Sequence, residues 1–218
     1  MAQALDDLLD SLEDADDATR EEAAKALAEL ANPATLDALI GACGDEFWSV
    51  RTRAGWGVAK IGGPKAIEAL IVLFNDPIME VRNEAVAAVV SLGAGQLDRL
   101  LAAMKDERWR VREHAAKACG DLHDSRAVDA LTFACRDRDG AVKSAAAEAL
   151  GKIGDPKAIP ALVKLFRDSS KIVRETAGIA LVAIGQPSVD LLLETLKDKD
   201  FVVRCHAARA LGGMTTDY

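Results

Sequence analysis

The sequence predicts an all-α protein made of seven helix pairs, and three observations predict it. Half of its 218 residues are apolar but only 4% are aromatic, with Ala and Leu dominating, a balance that suits helices packed at close range. Basic residues at Arg20, Arg51, Arg82, Arg112, Lys143, Arg174 and Arg204 are separated by 31, 31, 30, 31, 31 and 30 residues, a period diagnostic of a repeat architecture. With that residue as offset 0, offset −6 is Asp in every unit: Asp14, Asp45, Asp76, Asp106, Asp137, Asp168 and Asp198. Offset +3 is always Ala, and breakers such as "IGGP", "IGDP" and "IGQP" close the units, with "ANP" and "LGAG" as variants.

The units run approximately over residues 3–31, 32–62, 63–93, 94–123, 124–154, 155–185 and 186–214, so residues 1–218 read as one repeat domain. The first opens with "ALDDLLDSLEDADD", acidic as a solvent-facing end should be. In the sixth, the first helix shows Ile159, Leu162, Val163 and Phe166 at i, i+3, i+4 and i+7, one apolar stripe. Second helices begin near offset −3 and end near +10. On a helical projection, offsets −1, 0, +3, +4, +6, +7 and +10 share an arc of about 160°, which is apolar or small apart from the basic residue. Ala at +3 and Ala or Gly at +6 let neighbouring helices approach closely. The seventh unit ends "AARALGGMTTDY" without a polar helix after it, so either this Ala-rich end is tolerated or it docks onto another chain, of the same or a different kind.

Stretches such as "VKSAAAEALGKIGDPKAIPALVKLFRD", residues 142–168, resemble the HEAT-like repeats of the phycobilisome (PBS) lyases. The resemblance covers essentially the whole chain. It implies a right-handed α-solenoid, an armadillo-like helical superhelix whose second helices line a concave surface and whose first helices form the back. The Asp at −6 and the basic residue at 0 are expected to form a structural ladder pairing Asp14 with Arg20, Asp45 with Arg51, Asp76 with Arg82, Asp106 with Arg112, Asp137 with Lys143, Asp168 with Arg174 and Asp198 with Arg204. Lys143 is the sole departure from Arg and is expected to leave its rung looser.

Chemistry is sparse. His114 and His206 share offset +2 but lie three repeats apart, about 30 Å at ~10 Å per repeat, and His123 falls in a turn, so no metal site or cofactor is expected. Cys43, Cys119 and Cys135 replace core residues and should be inert, whereas Cys205 beside His206 is expected nearer the surface. No catalytic residues emerge, which favours a non-enzyme.

The resemblance turns offsets +2, +5 and +9 toward the concave face. That strip is near neutral in a protein of net charge −8 and lacks the continuous basic track that nucleic acid requires. Trp56 stands out in its column, with Arg53 and Lys60 placed to lie along its ring as a binding anchor, although Trp56 could instead fill space beside Gly55 and Gly57. Trp48, Met79, Trp109 and Phe201 share offset −3, where a structural role is favoured over a binding edge.

The function expected is that of a non-enzymatic scaffold or adaptor binding a protein partner through the concave face, at Arg53, Trp56, Lys60, Glu84, His114 and Lys117. The resemblance also suggests an alternative, a subunit of a bilin lyase or a chromophore-handling factor. No apolar run is long enough for membrane insertion, and "MAQALDDLLDSLEDADD" lacks the features of a signal peptide, so a cytoplasmic location is expected.

Overall fold

The computed structural model describes residues 2–214, which form fourteen α-helices and no strand. Residues 215–218, the end of the stretch for which docking onto another chain is one of two readings, lie outside the described residues. The helices alternate as first and second members of pairs, the α-solenoid arrangement expected. Two compact units result, Met1–Arg99 and Leu100–Tyr218, with the division falling inside the first helix of the fourth repeat. Among the described residues no single helix is long and apolar enough to cross a membrane.

The first unit contains α1 (Ala2–Ser11), α2 (Asp17–Leu30), α3 (Leu36–Ala42), α4 (Trp48–Ile61), α5 (Pro64–Leu73) and α6 (Met79–Ser91). Short first helices and longer second helices pack around Leu27, Leu39, Val50, Val58, Leu70 and Phe74, all fully buried. The second unit holds the remainder of α7 (Leu97–Ala103), then α8 (Trp109–Asp121), α9 (Val128–Ala134), α10 (Gly140–Ile153), α11 (Ile159–Lys164), α12 (Lys171–Ile184), α13 (Val189–Thr195) and α14 (Phe201–Met214). Its core is built on Leu131, Leu150, Leu162, Phe166 and Leu181.

Close approach of second helices has a sharper cause than the +3 and +6 columns alone. Residues at +8 of one repeat meet residues at +6 of the next, and where the helices come nearest one of the two is Gly. A Cβ on Gly120 would lie 2.7 Å from Ala149, one on Gly151 2.8 Å from the Cα of Ala180, and one on Gly57 3.0 Å from the Cβ of Ala28. These glycines are therefore contact points between α8 and α10, α10 and α12, and α4 and α2.

The ladder exists in a form different from the one expected. Rungs join successive repeats. Arg20 donates through Nε and Nη2 to both carboxylate oxygens of Asp45 at 2.7 and 3.1 Å, Arg51 to Asp76 at 2.6 and 2.8 Å, and Arg112 to Asp137 at 2.7 and 2.9 Å. Lys143 likewise reaches forward, to Asp168 and not to Asp137. Within its own repeat each Arg uses the remaining Nη1 to bond the carbonyls at −6 and −5, as Arg112 does with Asp106 and Glu107 at 2.8 and 2.9 Å. The same clamp is made by Arg20, Arg51, Arg82, Arg174 and Arg204. An ammonium group has no second arm, and Lys143 makes the forward link without the clamp.

The Asp column has a further task. Each of the seven accepts the backbone N–H two residues on, at 2.8–2.9 Å, an Asx turn that shapes the entry to the second helix.

The 30-residue step within the second unit lacks a rung of this kind. Arg174 donates from Nε to His206 Nε2 at 3.3 Å, while Asp198 is taken by Arg167. The Nε of Arg82 is shielded from water with no acceptor among the described residues, and Asp106 is held by Arg108 at 2.8 and 2.9 Å. Every rung that does form joins residues 25 apart.

Candidate functional site

In the first unit the exposed side of the second-helix layer is formed by α2, α4 and α6. Successive turns of α4 raise Arg53, Trp56 and Lys60 on one stripe, because the intervening Ala54, Gly55, Gly57, Val58 and Ala59 are buried against neighbouring helices. Arg53 is exposed and its Nε donates to Glu21 Oε1 of the preceding repeat at 3.3 Å. Trp56 is half-buried, and its Nε1–H donates to Glu84 Oε2 of the following repeat at 2.9 Å. Lys60 is exposed. Four of the six residues expected on the strip are thus brought together, three of them tied by polar links between repeats.

The detail of the anchor differs from expectation. The described cation–π contacts are at other aromatics: Arg110 sits 4.8 Å from the Trp109 ring centroid, Arg20 5.5 Å from that of Phe47, and Arg204 5.8 Å from that of Phe201. A Cβ on Gly55 would come within 3.2 Å of Leu73, and Gly57 is already packed against Ala28 and Leu39. The indole N–H is held by Glu84.

In the second unit Lys117 is half-buried and bonds Glu113 Oε1 one turn earlier at 2.7 Å. His114 does not belong on an open strip, because only 1% of it is exposed. A helical side chain lies over the turn preceding its own Cα, and here Nδ1–H of His114 donates back to the Arg110 carbonyl at 2.7 Å. His206, at the same offset, is buried too and stacks on Phe166 with ring centroids 5.5 Å apart. Burial, with the Arg174 and Arg209 cations nearby, holds its pKa below the ordinary imidazole range. The +2 column is therefore not uniformly outward. A cleft of about 490 Å³ remains on this layer, between Lys117 on α8, Glu148 on α10 and Thr176 on α12.

His123 bonds the Lys152 carbonyl at 2.9 Å from a turn with φ of 51°. Burial pushes the thiols of Cys43, Cys119 and Cys135 up to about 12, which removes their nucleophilic form at neutral pH. Cys205 is partly exposed, and the Nε2 of adjacent His206 is engaged by Arg174.

The offset −3 column lies at the surface. Trp48, Met79, Trp109 and Phe201 are all exposed, Phe201 at 68%, and Trp109 and Phe201 stack with Arg110 and Arg204. Alternation could have exposed this in the sequence: the buried position beside them is −1, which is Val in six of seven repeats.

The family model for HEAT repeats matches residues 5–90, 97–182 and 163–217. Among solved structures, the complex of CpcE and CpcF of phycocyanin lyase from Nostoc sp. PCC7120 is 25% identical, with 67% of this chain and 98% of that chain covered and a TM-score of 0.56. Yeast importin-beta (Kap95p) is 16% identical over 98% of this chain, with a TM-score of 0.64, a likeness of fold. The chain spans 35% of that protein. No curated protein matches.

Proposed function

We propose that this chain, which belongs to the HEAT-repeat family, is a non-enzymatic scaffold that binds a protein partner through its second-helix layer, centred on Arg53, Trp56, Lys60 and Glu84. The observation that carries this reading is Trp56: a half-buried indole whose N–H is fixed on Glu84 while the ring stays open beside two exposed cations. A rigid aromatic with its polar atom already satisfied binds at low cost in entropy, the property of an interface hot spot. Lys117 forms part of a separate patch in the second unit, and His114, being buried, supports that patch from beneath. Replacing Arg53 and Trp56 together by Ala is expected to weaken capture of the partner at least tenfold while leaving thermal stability within about 1 kcal/mol of the parent. Undiminished capture would remove the assignment.

A second reading is favoured by one observation, the 25% identity to the phycocyanin lyase complex over 98% of the matching chain. On this reading the protein is one subunit of a bilin lyase or chromophore-handling factor, and the second-helix layer receives the pigment or its carrier. Titrating free bilin into the protein and recording visible absorption separates the two. A shifted, saturable band supports the second reading, and an unchanged spectrum leaves the scaffold.

A further inference from the structure

The first-helix layer of the second unit carries a feature that the scaffold reading does not use. Between α7 and α9 lies an open cleft of about 830 Å³, larger than the one between α8, α10 and α12. Its floor is apolar, formed by Leu101 from α7, Met104 in the turn after it, and Ala130 and Ala134 from α9. Phe133 stands at its side, 76% exposed, a cost in apolar hydration that the fold itself does not recover. The space arises because α9 presents Ala at two successive turns where a longer side chain would close the cleft.

The rim is charged in an unbalanced way. Asp137 is neutralised bidentately by Arg112, and Asp106 by Arg108. Glu107 is exposed, and its backbone carbonyl, not its carboxylate, accepts from Arg138 Nη2 at 3.2 Å. Lys105 and Arg136 are exposed, with no ion pair among the described residues, and Arg138, whose charge acts on Asp137, makes no direct carboxylate bond among them. Three cations therefore face one uncommitted carboxylate around an apolar floor, in a chain whose net charge is −8.

We propose that this cleft is a second docking surface, for a short peptide segment that places two apolar side chains on the floor and carboxylates over Lys105, Arg136 and Arg138. The seven-residue helices α7 and α9 are each about 10 Å long, which matches two helical turns of a partner with apolar anchors at i and i+3 or i+4. The apolar floor and Phe133 supply the driving force, and the rim selects charge and register. The site is independent of Trp56 and stands or falls separately from the second-helix interface.

A fluorescein-labelled 12-residue peptide with Leu at positions 4, 7 and 8 and Glu at both ends tests this by fluorescence anisotropy, beside a counterpart with Lys for every Glu. At 150 mM salt the Debye length is about 8 Å, so the peptide senses the rim more than the distant net charge. The Glu peptide is expected to bind saturably at one per chain, at least tenfold tighter than the Lys peptide. Phe133→Asp and the double variant Arg136→Glu with Arg138→Glu should each weaken it at least tenfold. Both change exposed residues, and unchanged circular dichroism melts verify folding. Equal binding of the two peptides, no saturable binding up to 1 mM, or binding untouched by the cleft variants would overturn the proposal.

Discussion

Lys143→Arg is expected to stabilise the protein, for reasons that can be worked through atom by atom. The parent ammonium makes one link, to Asp168. A guanidinium in its place can take both oxygens of Asp168 through Nε and Nη2, as Arg112 takes Asp137, and bond the carbonyls of Asp137 and Arg138 through Nη1, as the other six members of the column do in their own repeats. Room exists, since a cleft of about 280 Å³ opens beside Lys143, Asp137 and Asp168. Two added bonds from a charged donor to carbonyls are each worth about 1.5–3 kcal/mol when a partner is removed. Partial hydration and the ordering of a longer side chain offset much of that. A net gain of about 1–2 kcal/mol remains, equivalent to a rise in Tm of about 3–6 °C for a chain of this length. Differential scanning calorimetry reads the shift, and hydrogen exchange should show slower opening of the first turn of α10. Arg112→Lys is the mirror experiment and should lose a similar amount. A Lys143→Arg protein melting at or below the parent, or an Arg112→Lys protein as stable as the parent, would refute the reasoning.

Three further outcomes are expected. Gly120→Ala should cost about 1–3 kcal/mol in urea unfolding because its Cβ would meet Ala149 at 2.7 Å, whereas Gly41→Ala, in α3 with open space around it, should gain about 0.5–1 kcal/mol. Acid should destabilise the fold between the ordinary carboxylate range near pH 4 and about pH 2. Arg20 hydrogen bonds hold Asp45 low, Arg108 holds Asp106 down to about 2, and at Asp137 and Asp168 burial is outweighed by Arg112 and Lys143. Because the folded pKa values are depressed, the unfolded chain takes up protons first, and stability present above pH 4 is lost as pH falls; Tm flat from pH 6 to 2.5 would contradict this. Among the four thiols, only Cys205 should react with a chromogenic disulfide under native conditions, the other three following unfolding, as a titration in denaturant would show.

Much of the fold could be read from spacing because each repeat restates the same constraints. Ala at +3 and the breakers after +10 mark where helices touch and end, and the structure places helices there. The pairing of the ladder was not legible. The within-repeat partner stands six residues before each basic residue and the between-repeat partner 24 or 25 after it, and the columns alone do not say which is taken. Three-dimensional reach decides: the guanidinium folds back over its own turn with one arm and offers the other two forward. His114 misled for a different reason. A projection at 100° per residue gives the direction of the Cα–Cβ bond, but the ring curls back onto Arg110 and under its neighbours. The α7–α9 cleft had no sequence signature, since it depends on Ala130 and Ala134 meeting Leu101 across a gap between repeats.

The geometry of the clamp also gives the ladder a direction. Each Arg fork is fixed by carbonyls five and six residues before it, while the receiving carboxylate, where a rung forms, lies 25 residues after it. A polypeptide lengthening from its N-terminus therefore completes the donor of every rung before the acceptor exists. Each finished repeat becomes a template, already aimed, on which the next can settle, and growth in the opposite sense would find a carboxylate with nothing yet oriented to meet it.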